Sequence, residues 1–507
     1  MSSTLPLEWV LVILPEISLV ILLAAVLFYD RALKPENRRN VGLFSAWGAF
    51  AILLLTFAMW LLLDIPNSQQ SLSADSLIWG GMIRNDLITL VFRVIFLSAL
   101  VLTSLISIDV KRLQRGEFYA LLIAATLGFN LMAASADLIM LYIALETASI
   151  SSYVLAGFMT EDDQSAEAGM KYFVYGAMAT GLMLYGMSLL HGVFTTVGLS
   201  STNIYQIGLF ISNAGTIPPE ANGVILLSAA LIIVGFGFKI SAVPFHFWTP
   251  DVYNGAPTSF TAFVSTASKA AGFAIFLRVL TSGAFGEPGQ ASLWWALLIS
   301  MCVITMTLGN FAAIFQNDIK RLLAYSSIAQ AGYLMIGLVI LTPDGSGATI
   351  FYLLMYMFTN IAAFGVIILI NNVSGTNDLR DLYGLSRRSP YLALVMLFAL
   401  LSLGGIPPTA GFIGKFFVFK AAVDAGYWWL ALLGILNAFV ALYYYLSIVK
   451  YMYLYRADNE DVPIPVSRAA QIGLAVSVFF IIFLGVYAGP AYDWTREAAT
   501  AFFSLTG

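Results

Sequence analysis

Long apolar segments dominate this chain, and they restrict the folds open to it. Of its 507 residues, 60% are hydrophobic and only 10% are charged, whereas soluble domains carry about 25% charged residues. About 20 consecutive apolar residues cross the hydrocarbon core of a bilayer as a helix. Because that core offers backbone groups no water, only helices and closed barrels can span it. The sequence therefore predicts an all-α polytopic membrane protein.

About fourteen transmembrane helices are predicted from apolar windows of about 17 or more residues, bounded by charged or Gly/Pro/Asn-rich turns. We number them 1 to 14 in chain order. Their approximate ranges are 7–28, 41–63, 87–108, 118–135, 137–158, 166–193, 223–253, 259–283, 291–313, 320–341, 347–372, 390–424, 427–453 and 468–489. The first lacks the pattern of a cleaved signal peptide, so we expect it to be retained.

The basic residues predict how the chain crosses the membrane. Alternate loops hold sixteen of the 24 Lys and Arg residues. These are Arg31, Lys34, Arg38, Arg39, Lys111, Arg112, Arg115, Lys171, Lys320, Arg321, Arg380, Arg387, Arg388, Lys450, Arg456 and Arg468. Cytoplasmic loops carry an excess of Lys and Arg. We therefore expect both termini on the outer, periplasmic side of a bacterial cytoplasmic membrane, with an even number of helices between them.

Four ionisable residues lie inside otherwise apolar segments: Glu146 in helix 5, Lys239 in helix 7, Lys269 in helix 8 and Lys415 in helix 12. A charge at bilayer depth costs at least about 2.5–3.5 kcal/mol, and such residues usually face a bundle interior or a wet cavity. One carboxylate and three amines at this depth indicate a path for protons or cations. The structural alternatives are helix packing for a neutral Glu146, and snorkelling or the fixing of helix register for the lysines.

Each of these residues has an expected role if the path exists. A carboxylate at Glu146, paired with Lys239, would hold that amine charged until the pair separates. Lys269 is flanked by Ser and Thr residues and fits a central relay, and Lys415 could exchange protons with one aqueous side. His246 could bridge Lys239 to Lys269 or to water, or it could be a satisfied core histidine.

Helices 7 and 12 contain their own helix breakers. In helix 7, Lys239 is followed by Pro244, and in helix 12, Pro407 and Pro408 precede Lys415; glycines surround both prolines and lysines. Proline removes a backbone donor and clashes with the preceding turn, and glycine lets the backbone unwind at low steric cost. Non-helical backbone at membrane depth is tolerated only inside protein or beside water. The sequence therefore predicts two discontinuous helices, each with a lysine beside its break.

The two discontinuous helices are five helices apart, so they cross the membrane in opposite directions. The lysine precedes the break in one and follows it in the other, which favours an inverted-topology repeat of helices 4–8 and 9–13. We accordingly divide the chain into N-terminal helices (1–117), a first repeat (118–283), a second, inverted repeat (291–453) and a C-terminal helix (454–507). Two unrelated kinks are the alternative.

The remaining charged and aromatic residues carry weaker signals. Snorkelling or a lipid headgroup contact is expected for four residues nearer to helix ends: Lys171, Lys420, Arg93 and Arg278. Asp251 and Asp318 are expected to cap helices. Tyr443, Tyr444 and Tyr445 are typical of packing or of an interfacial belt.

Residue counts exclude several kinds of site. The single cysteine, Cys302, allows neither a Cys-ligated iron–sulfur cluster nor an intrachain disulfide. The two histidines, His191 and His246, are predicted at different depths, which disfavours a bis-His haem. No Gly-rich nucleotide fingerprint follows a plausible strand. We therefore expect no cofactor in this chain, and a net charge of −4 gives no indication of a nucleic-acid partner.

Three segments resemble a known family. They are GFGFKISAVPFHFWTPDVYNGAPTSFTAFVSTASKAAGF (235–273), KRLLAYSSIAQAGY (320–333) and LLSLGGIPPTAGFIGKF (400–416). These motifs are similar to those of the proton-conducting, antiporter-type membrane subunits of respiratory complex I, the NADH:quinone oxidoreductase. The same superfamily includes large subunits of multisubunit cation/proton antiporters. The resemblance covers most of the chain.

The resemblance implies a fold and a function. It implies fourteen helices with an inverted repeat, a Glu–Lys pair formed by Glu146 and Lys239, a central Lys269 and a terminal Lys415. It implies a translocase subunit that couples quinone reduction elsewhere in the complex to proton pumping. NADH, FMN, iron–sulfur clusters and quinone are then expected in partner subunits, and other membrane-arm subunits and lipids are the expected neighbours. The alternatives are a subunit that exchanges Na⁺ or K⁺ for protons, and a mainly structural scaffold.

Overall fold

The computed structural model describes residues 7–62, 77–196, 198–212, 221–285, 293–456 and 462–503. The described residues form a bundle of helices with one short β-hairpin. Both chain termini, for which a side of the membrane was predicted, lie outside the described residues, as do the predicted start of helix 9 at 291 and the predicted end of helix 2 at 63.

All fourteen predicted helices are present in the described part of the chain. Helices 1 to 7 are Leu7–Val12 with Leu14–Ala32, Arg39–Leu62, Leu87–Ser107, Gly116–Ala134, Leu138–Ala156, Asp163–Thr196, and Asn222–Ile240 (7a) with Trp248–Gly255 (7b). Helices 8 to 14 are Thr258–Thr281, Leu293–Ile314, Ile319–Ile340, Pro343–Ser374, Pro390–Gly404 (12a) with Ala410–Asp424 (12b), Trp428–Leu454 and Arg468–Val486. The predicted fold class is confirmed.

Twelve of these helices are long and apolar enough to cross a membrane, counted over the described residues. The other two are helix 1, which is interrupted at Ile13, and helix 12, which is divided. The smaller elements that were not predicted include a hairpin of strands Leu77–Ile78 and Ile83–Arg84, and helices Ile204–Ser212, Leu385–Arg388 and Gly489–Phe503.

Both predicted helix breaks are present, and each begins with a residue in the left-handed conformation. Ser241, directly after helix 7a, has a φ of 65°, and Gly405, directly after helix 12a, has a φ of 78°. Glycine adopts this conformation at little cost, whereas serine does so uncommonly. Each break also contains one cis X-Pro bond, Val243–Pro244 and Pro407–Pro408.

Side-chain caps explain where several helices begin. Asp137 accepts hydrogen bonds from the backbone amides at the start of helix 5, and Asp318 does the same at the start of helix 10. Thr342 caps helix 11 and Ser467 caps helix 14. Because the first turn of a helix leaves its N–H groups without partners, such residues fix the starting point. The predicted capping role of Asp318 is confirmed, whereas Asp251 forms ion pairs with Lys171 and Arg321 instead.

Glycine lets two pairs of consecutive helices approach closely. A Cβ atom at Gly128 in helix 4 would lie 2.6 Å from the backbone N of Ala148 in helix 5. A Cβ atom at Gly309 in helix 9 would lie 2.5 Å from the backbone N of Ala329 in helix 10. Small residues allow such backbone contact between membrane helices. The same contact at the same sequence separation is what a repeat would produce, and the predicted repeat boundaries stay a prediction.

Loops predicted on one side of the membrane gather at one end of the bundle. They surround a cavity of about 870 Å³, which we call the loop cavity. Its lining includes Arg39, Asp109, Lys111, Asp162, Lys320 and Ser467. The predicted alternation of the loops between two ends is therefore confirmed for the loops that line this cavity.

Two arginines predicted to snorkel are instead buried in ion pairs. Arg93 Nε lies 2.8 Å from Glu16 Oε1, so helix 3 is joined to helix 1. Arg278 NH1 lies 2.8 Å from Asp86 Oδ2, which joins helix 8 to the start of helix 3. The snorkelling prediction was wrong for both because neighbouring helices supply a carboxylate nearby. Lys171 is also held by a carboxylate, that of Asp251, at 2.6 Å.

Candidate functional site

Lys239 lies in the last turn of helix 7a and is 3% exposed. Its Nζ donates a hydrogen bond to Ser149 Oγ in helix 5 at 3.2 Å, and it lies 5.5 Å from the centroid of the Phe129 ring. An aromatic face attracts a cation at that distance. Lys239 therefore points into the bundle, as the sequence predicted.

Glu146 lies one turn before Ser149 on the same helix and is half-buried. Its carboxylate interacts electrostatically with Lys239. The two side chains, both among the described residues, form no direct ion pair, and Glu146 Oε1 has no hydrogen-bond partner there. The predicted pair is thus found in a separated arrangement, with Ser149 in contact with the amine.

The break in helix 7 holds His246 close to the bundle interior. The indole N–H of Trp248 donates to the carbonyl oxygen of Phe238 at 3.1 Å, which satisfies a carbonyl at the end of helix 7a. His246 is 5% exposed, and its Nδ1 has no hydrogen-bond partner within the described ranges. It bonds neither to Lys239 nor to Lys269 in that part of the chain, so its predicted bridging role stays a prediction.

Lys269 lies directly after a π-helical turn, Val264–Ser268, in the middle of helix 8. Such turns occur mostly as single insertions, frequently at functional sites. Lys269 Nζ donates to the backbone oxygen of Ser327 at 2.5 Å and to its Oγ at 2.6 Å. The hydroxyl of Tyr253 in helix 7b lies 3.3 Å from the same Oγ. Lys269 is 1% exposed and is the most deeply buried of the predicted amines.

Lys415 lies in helix 12b and contacts the end of helix 12a. Its Nζ donates to the carbonyl oxygens of Leu403 at 2.8 Å and of Gly404 at 3.2 Å. These carbonyls are among those that a helix leaves without intrahelical partners, and the C-terminal end of the helix dipole favours a cation. The break therefore creates the site that binds this amine.

A set of hydrogen bonds lies between the helices that carry Lys269 and Lys415. The hydroxyls of Ser326 and Tyr445 lie 2.5 Å apart. Gln330 Nε2 donates to Tyr445 Oη at 3.2 Å and to the carbonyl oxygen of Leu403 at 3.1 Å. Tyr352 also donates its hydroxyl hydrogen to Gln330 Oε1. These side chains are buried and bring helices 10, 11, 12 and 13 together.

This set connects the two lysines almost end to end. Lys269 bonds to Ser327, which is the chain neighbour of Ser326. At the other end, Leu403 O accepts a hydrogen bond from Gln330 and another from Lys415. One step between adjacent serines separates two otherwise continuous series of hydrogen bonds. Lys239 has no comparable link to Lys269 within the described residues, although Gly272, one turn after Lys269, lets helix 8 approach the Lys239 stem.

One cavity adjoins the Lys415 end of this arrangement, and the loop cavity lies beyond its other end. The loop cavity reaches Lys320 at the start of helix 10. A second cavity of about 500 Å³, lined mostly by apolar side chains, extends from Lys415 along helices 12 and 13 to the charged pair Lys420 and Asp424. Helix 12 begins at the loop-cavity end and finishes at Asp424, so the second cavity leads toward the opposite end.

The arrangement has the chemistry that proton transfer needs. Amines, hydroxyls and a carboxamide alternate along it, and each can exchange a proton or orient a water molecule. Over the described ranges, no group of three or more His, Cys, Asp or Glu side chains could hold a metal ion. The single cysteine is buried and donates to the carbonyl oxygen of Gly332.

Several residues of this site were not recognised from the sequence, among them Ser326, Ser327 and Tyr352. Tyr445 was interpreted as packing, Gln330 was not singled out, and Lys320 was counted as a loop charge. Lys320 is 3% exposed, and its Nζ donates to the carbonyl oxygen of Ala256 at 2.8 Å. The available signal for Gln330 was its spacing: it lies four residues after Ser326 and three after Ser327, so the three polar side chains share one face of helix 10.

Comparisons with known proteins follow the same direction. A family described as "NADH:quinone oxidoreductase/Mrp antiporter, TM" matches residues 135–441. The chain is 42% identical over 472 residues to a protein of Moorella thermoacetica named NADH-quinone oxidoreductase subunit N, which covers 92% of this chain and 94% of that protein.

Two solved structures have the same fold. A chain of respiratory complex I from Thermus thermophilus with bound aureothin is 30% identical, with a TM-score of 0.75 over 94% of this chain and 98% of that chain. A chain of the Mrp complex from Dietzia sp. DQ12-45-1b is 20% identical, with a TM-score of 0.81 over 99% of this chain and 98% of that chain. The second likeness concerns the fold alone.

Proposed function

Because the chain belongs to the family of NADH:quinone oxidoreductase and Mrp antiporter membrane subunits, we propose that it is the proton-translocating subunit N of a bacterial NADH:quinone oxidoreductase, respiratory complex I. The observation that carries the proposal is the buried set of hydrogen bonds between Lys269 and Lys415, whose Lys415 end adjoins a cavity that leads away from the loop cavity. The full-length similarity to a subunit N relative supports the same assignment.

The first step of transfer involves Glu146 and Lys239. When the two side chains are close, the carboxylate favours the charged amine, and when they separate, desolvation favours the neutral amine. The separated arrangement, with Ser149 bonded to Lys239, corresponds to the state that releases a proton toward Lys269. Quinone reduction elsewhere in the complex would drive the change between the two arrangements.

The second step runs from Lys269 to Lys415. Ser327 accepts from Lys269, and Ser326, Tyr445 and Gln330 continue toward Leu403 O, which also binds Lys415. The hydroxyl groups can pass a proton, whereas Gln330 orients its neighbours and has no titrating proton. Lys415 then releases the proton into the cavity toward Lys420 and Asp424.

The membrane orientation follows from the charges. The loop cavity is the end where basic loop residues gather, so it faces the cytoplasm by the positive-inside rule. The cavity next to Lys415 then opens toward the periplasm, and both termini lie on the periplasmic side of the bacterial cytoplasmic membrane. This orientation carries protons outward through the chain.

The subunit requires partners for its redox chemistry. NADH, FMN, iron–sulfur clusters and quinone belong to other subunits, and neighbouring membrane-arm subunits and lipids cover the outer helix faces. The described residues of this chain lack a ligand set for a cluster, so no step of the mechanism passes through one here. Residues 118–283 and 291–453 form the two inverted repeats, and 1–117 and 454–507 flank them.

The alternative is a subunit of a multisubunit Na⁺ or K⁺/proton antiporter. Identity is 42% with the subunit N relative and 20% with the Mrp complex chain, which supports the complex I assignment. Proton pumping that requires Na⁺ and continues without NADH oxidation would favour the antiporter instead.

Substitution of Lys239 and Lys415 tests the proposed function. Lys239→Ala and Lys415→Ala complexes are expected to assemble and to lose proton pumping, because each removes a titrating amine from the path. The measurement is proton uptake per NADH oxidised in inverted membrane vesicles. Lys450→Ala is the control, since Lys450 is an exposed lysine of helix 13 that lines neither cavity. Normal proton-to-electron ratios in both test variants would refute the proposal.

A further inference from the structure

Lys320 is a buried amine at the boundary between the loop cavity and the bundle interior. It is the second residue of helix 10, and its side chain lines the cavity although only 3% of it is exposed. Its one hydrogen bond within the described part of the chain goes to the carbonyl oxygen of Ala256, directly after helix 7b. An ammonium group has three donors, so this carbonyl satisfies a third of its capacity.

Helix 10 points from Lys320 to the centre of the bundle. Lys320, Ala324 and Ser327 are spaced at i, i+4 and i+7, so they lie on one face of the helix. The rise between Lys320 and Ser327 is about 10 Å, at 1.5 Å per residue. The turn between them carries Ala324, whose side chain is a single methyl group. Ser327 is the residue that accepts two hydrogen bonds from Lys269.

Helix 7b supplies a polar group along the same route. Tyr253 lies one turn before Ala256, whose carbonyl binds Lys320. The Tyr253 hydroxyl lies 3.3 Å from Ser327 Oγ, and the side chain is fully buried. Helix 7b and the residue after it therefore contact both groups: Lys320 through the Ala256 carbonyl oxygen, and Ser327 through the Tyr253 hydroxyl.

We propose that Lys320 takes up protons from the loop cavity and loads Lys269 through Tyr253 and Ser327. The Lys320 ammonium gives one proton to this hydroxyl pair, and Ser327 gives one to a neutral Lys269 amine, which becomes an ammonium. Lys320 then recovers a proton from water on the cavity side. This inference rests on the proposed function and adds to it the step that takes up protons from the loop cavity.

Several charged groups face the amine and set its surroundings. On its own helix this is Asp318, and Asp162 in the loop before helix 6 also interacts with it electrostatically, whereas Arg321 points away to Asp251. Others line the cavity from the remaining elements: Arg39, Asp109, Lys111 and Arg112. Asp109 is paired with Arg39 at 3.1 Å. The carboxylates that act on the Lys320 amine are therefore those of Asp318 and Asp162.

A purely structural role makes a different prediction. Lys320 also satisfies a carbonyl at the end of helix 7b, and an arginine could make the same contact with a permanent charge. An arginine cannot release its proton in a protein. Lys320→Arg therefore separates the binding of the carbonyl from proton loading, and Lys320→His restores a titrating group without restoring the lysine stem.

The experiment uses the assembled complex in inverted vesicles and measures initial proton-pumping rate and NADH oxidation. We expect Lys320→Met and Lys320→Arg to lower the pumping rate by on the order of tenfold or more, as loss of a proton-transfer group does. Lys320→His should recover most of the rate at acidic cytoplasmic-side pH. Its rate should fall as that pH rises through about 6.5, because imidazole titrates there. The matched control is Arg321→Ala, the next residue, which points away to Asp251.

Full pumping in Lys320→Arg would assign Lys320 a structural role and overturn the inference, and so would a Lys320→His rate with no new dependence on cytoplasmic-side pH. If Lys320→Met fails to assemble, the Arg and His variants still decide the question. The outcome is separable from that of the proposed function: normal pumping in the Lys320 variants with loss in Lys415→Ala would reject only the entrance. Normal pumping in Lys415→Ala would reject the whole path.

Discussion

Tyr445 allows a sharp test of the connection between Lys269 and Lys415, because a single oxygen atom can be removed while the ring remains. Its hydroxyl lies 2.5 Å from Ser326 Oγ and accepts a hydrogen bond from Gln330 Nε2 at 3.2 Å. The side chain is 1% exposed. Tyr445→Phe removes both hydrogen bonds and leaves the packing of helices 10 and 13 in place.

The expected magnitude follows from these two bonds. Each contributes about 1 kcal/mol net, so the substitution should lower the stability of the subunit by about 2 kcal/mol and still permit assembly. If proton transfer passes through the Tyr445 oxygen, loss of these two hydrogen bonds raises the transfer barrier by a similar amount. A barrier higher by about 2 kcal/mol corresponds to pumping that is about thirtyfold slower. Gln330 keeps its bond to Leu403, so the interruption is confined to one point.

The assay is proton uptake by purified complex in liposomes, followed with a pH-sensitive dye and normalised to NADH oxidised. Tyr443→Phe is the control: Tyr443 is on the same helix but 65% exposed, and its substitution should leave the rate unchanged. A wild-type pumping rate in Tyr445→Phe, with assembly intact, would refute the role of this hydroxyl and require another route between the lysines.

Two further substitutions test the scaffold around this path. Burial by itself would raise the pKa of Asp86, but the Arg278 guanidinium holds it at about 2. The stabilising charge is then present above the unfolded value near 4 and is lost as pH falls toward 2. Asp86→Asn should lower the free energy of unfolding by about 3–5 kcal/mol, measured as a lower thermal-unfolding temperature. The difference from the wild type should stay constant from pH 5 to 8, and a difference that changes within that range would contradict the reasoning. Gly309→Ala places a Cβ 2.5 Å from the backbone of helix 10 and should cost about 1–3 kcal/mol, seen as a lower yield of assembled complex on native gels. Gly181→Ala, which meets open space, should assemble normally.

Much of the fold could be predicted from the sequence because the signals are local. A helix must cross a fixed hydrocarbon thickness, so apolar length alone located all fourteen helices in the described part of the chain. The breaks in helices 7 and 12 were predictable for the same reason, since proline and glycine act on their own turn. The inward direction of Lys239, Lys269 and Lys415 followed from the cost of charge in lipid.

The partners of these residues could not be predicted because they depend on distant segments. Arg93 was expected to reach the interface, yet a glutamate 77 residues away binds it. Lys269 finds its acceptors 58 residues away in helix 10. Lys320 follows a capping aspartate at a helix start, which in sequence is typical of a solvated loop end, yet it is buried and bonds to the carbonyl oxygen after helix 7b. The π turn before Lys269 likewise left no pattern that periodicity could detect.

The acceptors of Lys415 are main-chain atoms of one half-helix, whereas the amine itself belongs to the other half. Because no amino-acid replacement removes a main-chain carbonyl, substitutions at Leu403 or Gly404 leave both acceptors of these hydrogen bonds in place. Their strength is instead set by the angle between the two halves, and a small rotation at Gly405 changes it at once. The break in helix 12 thus couples a movement of the two half-helices to the protonation state of the Lys415 amine.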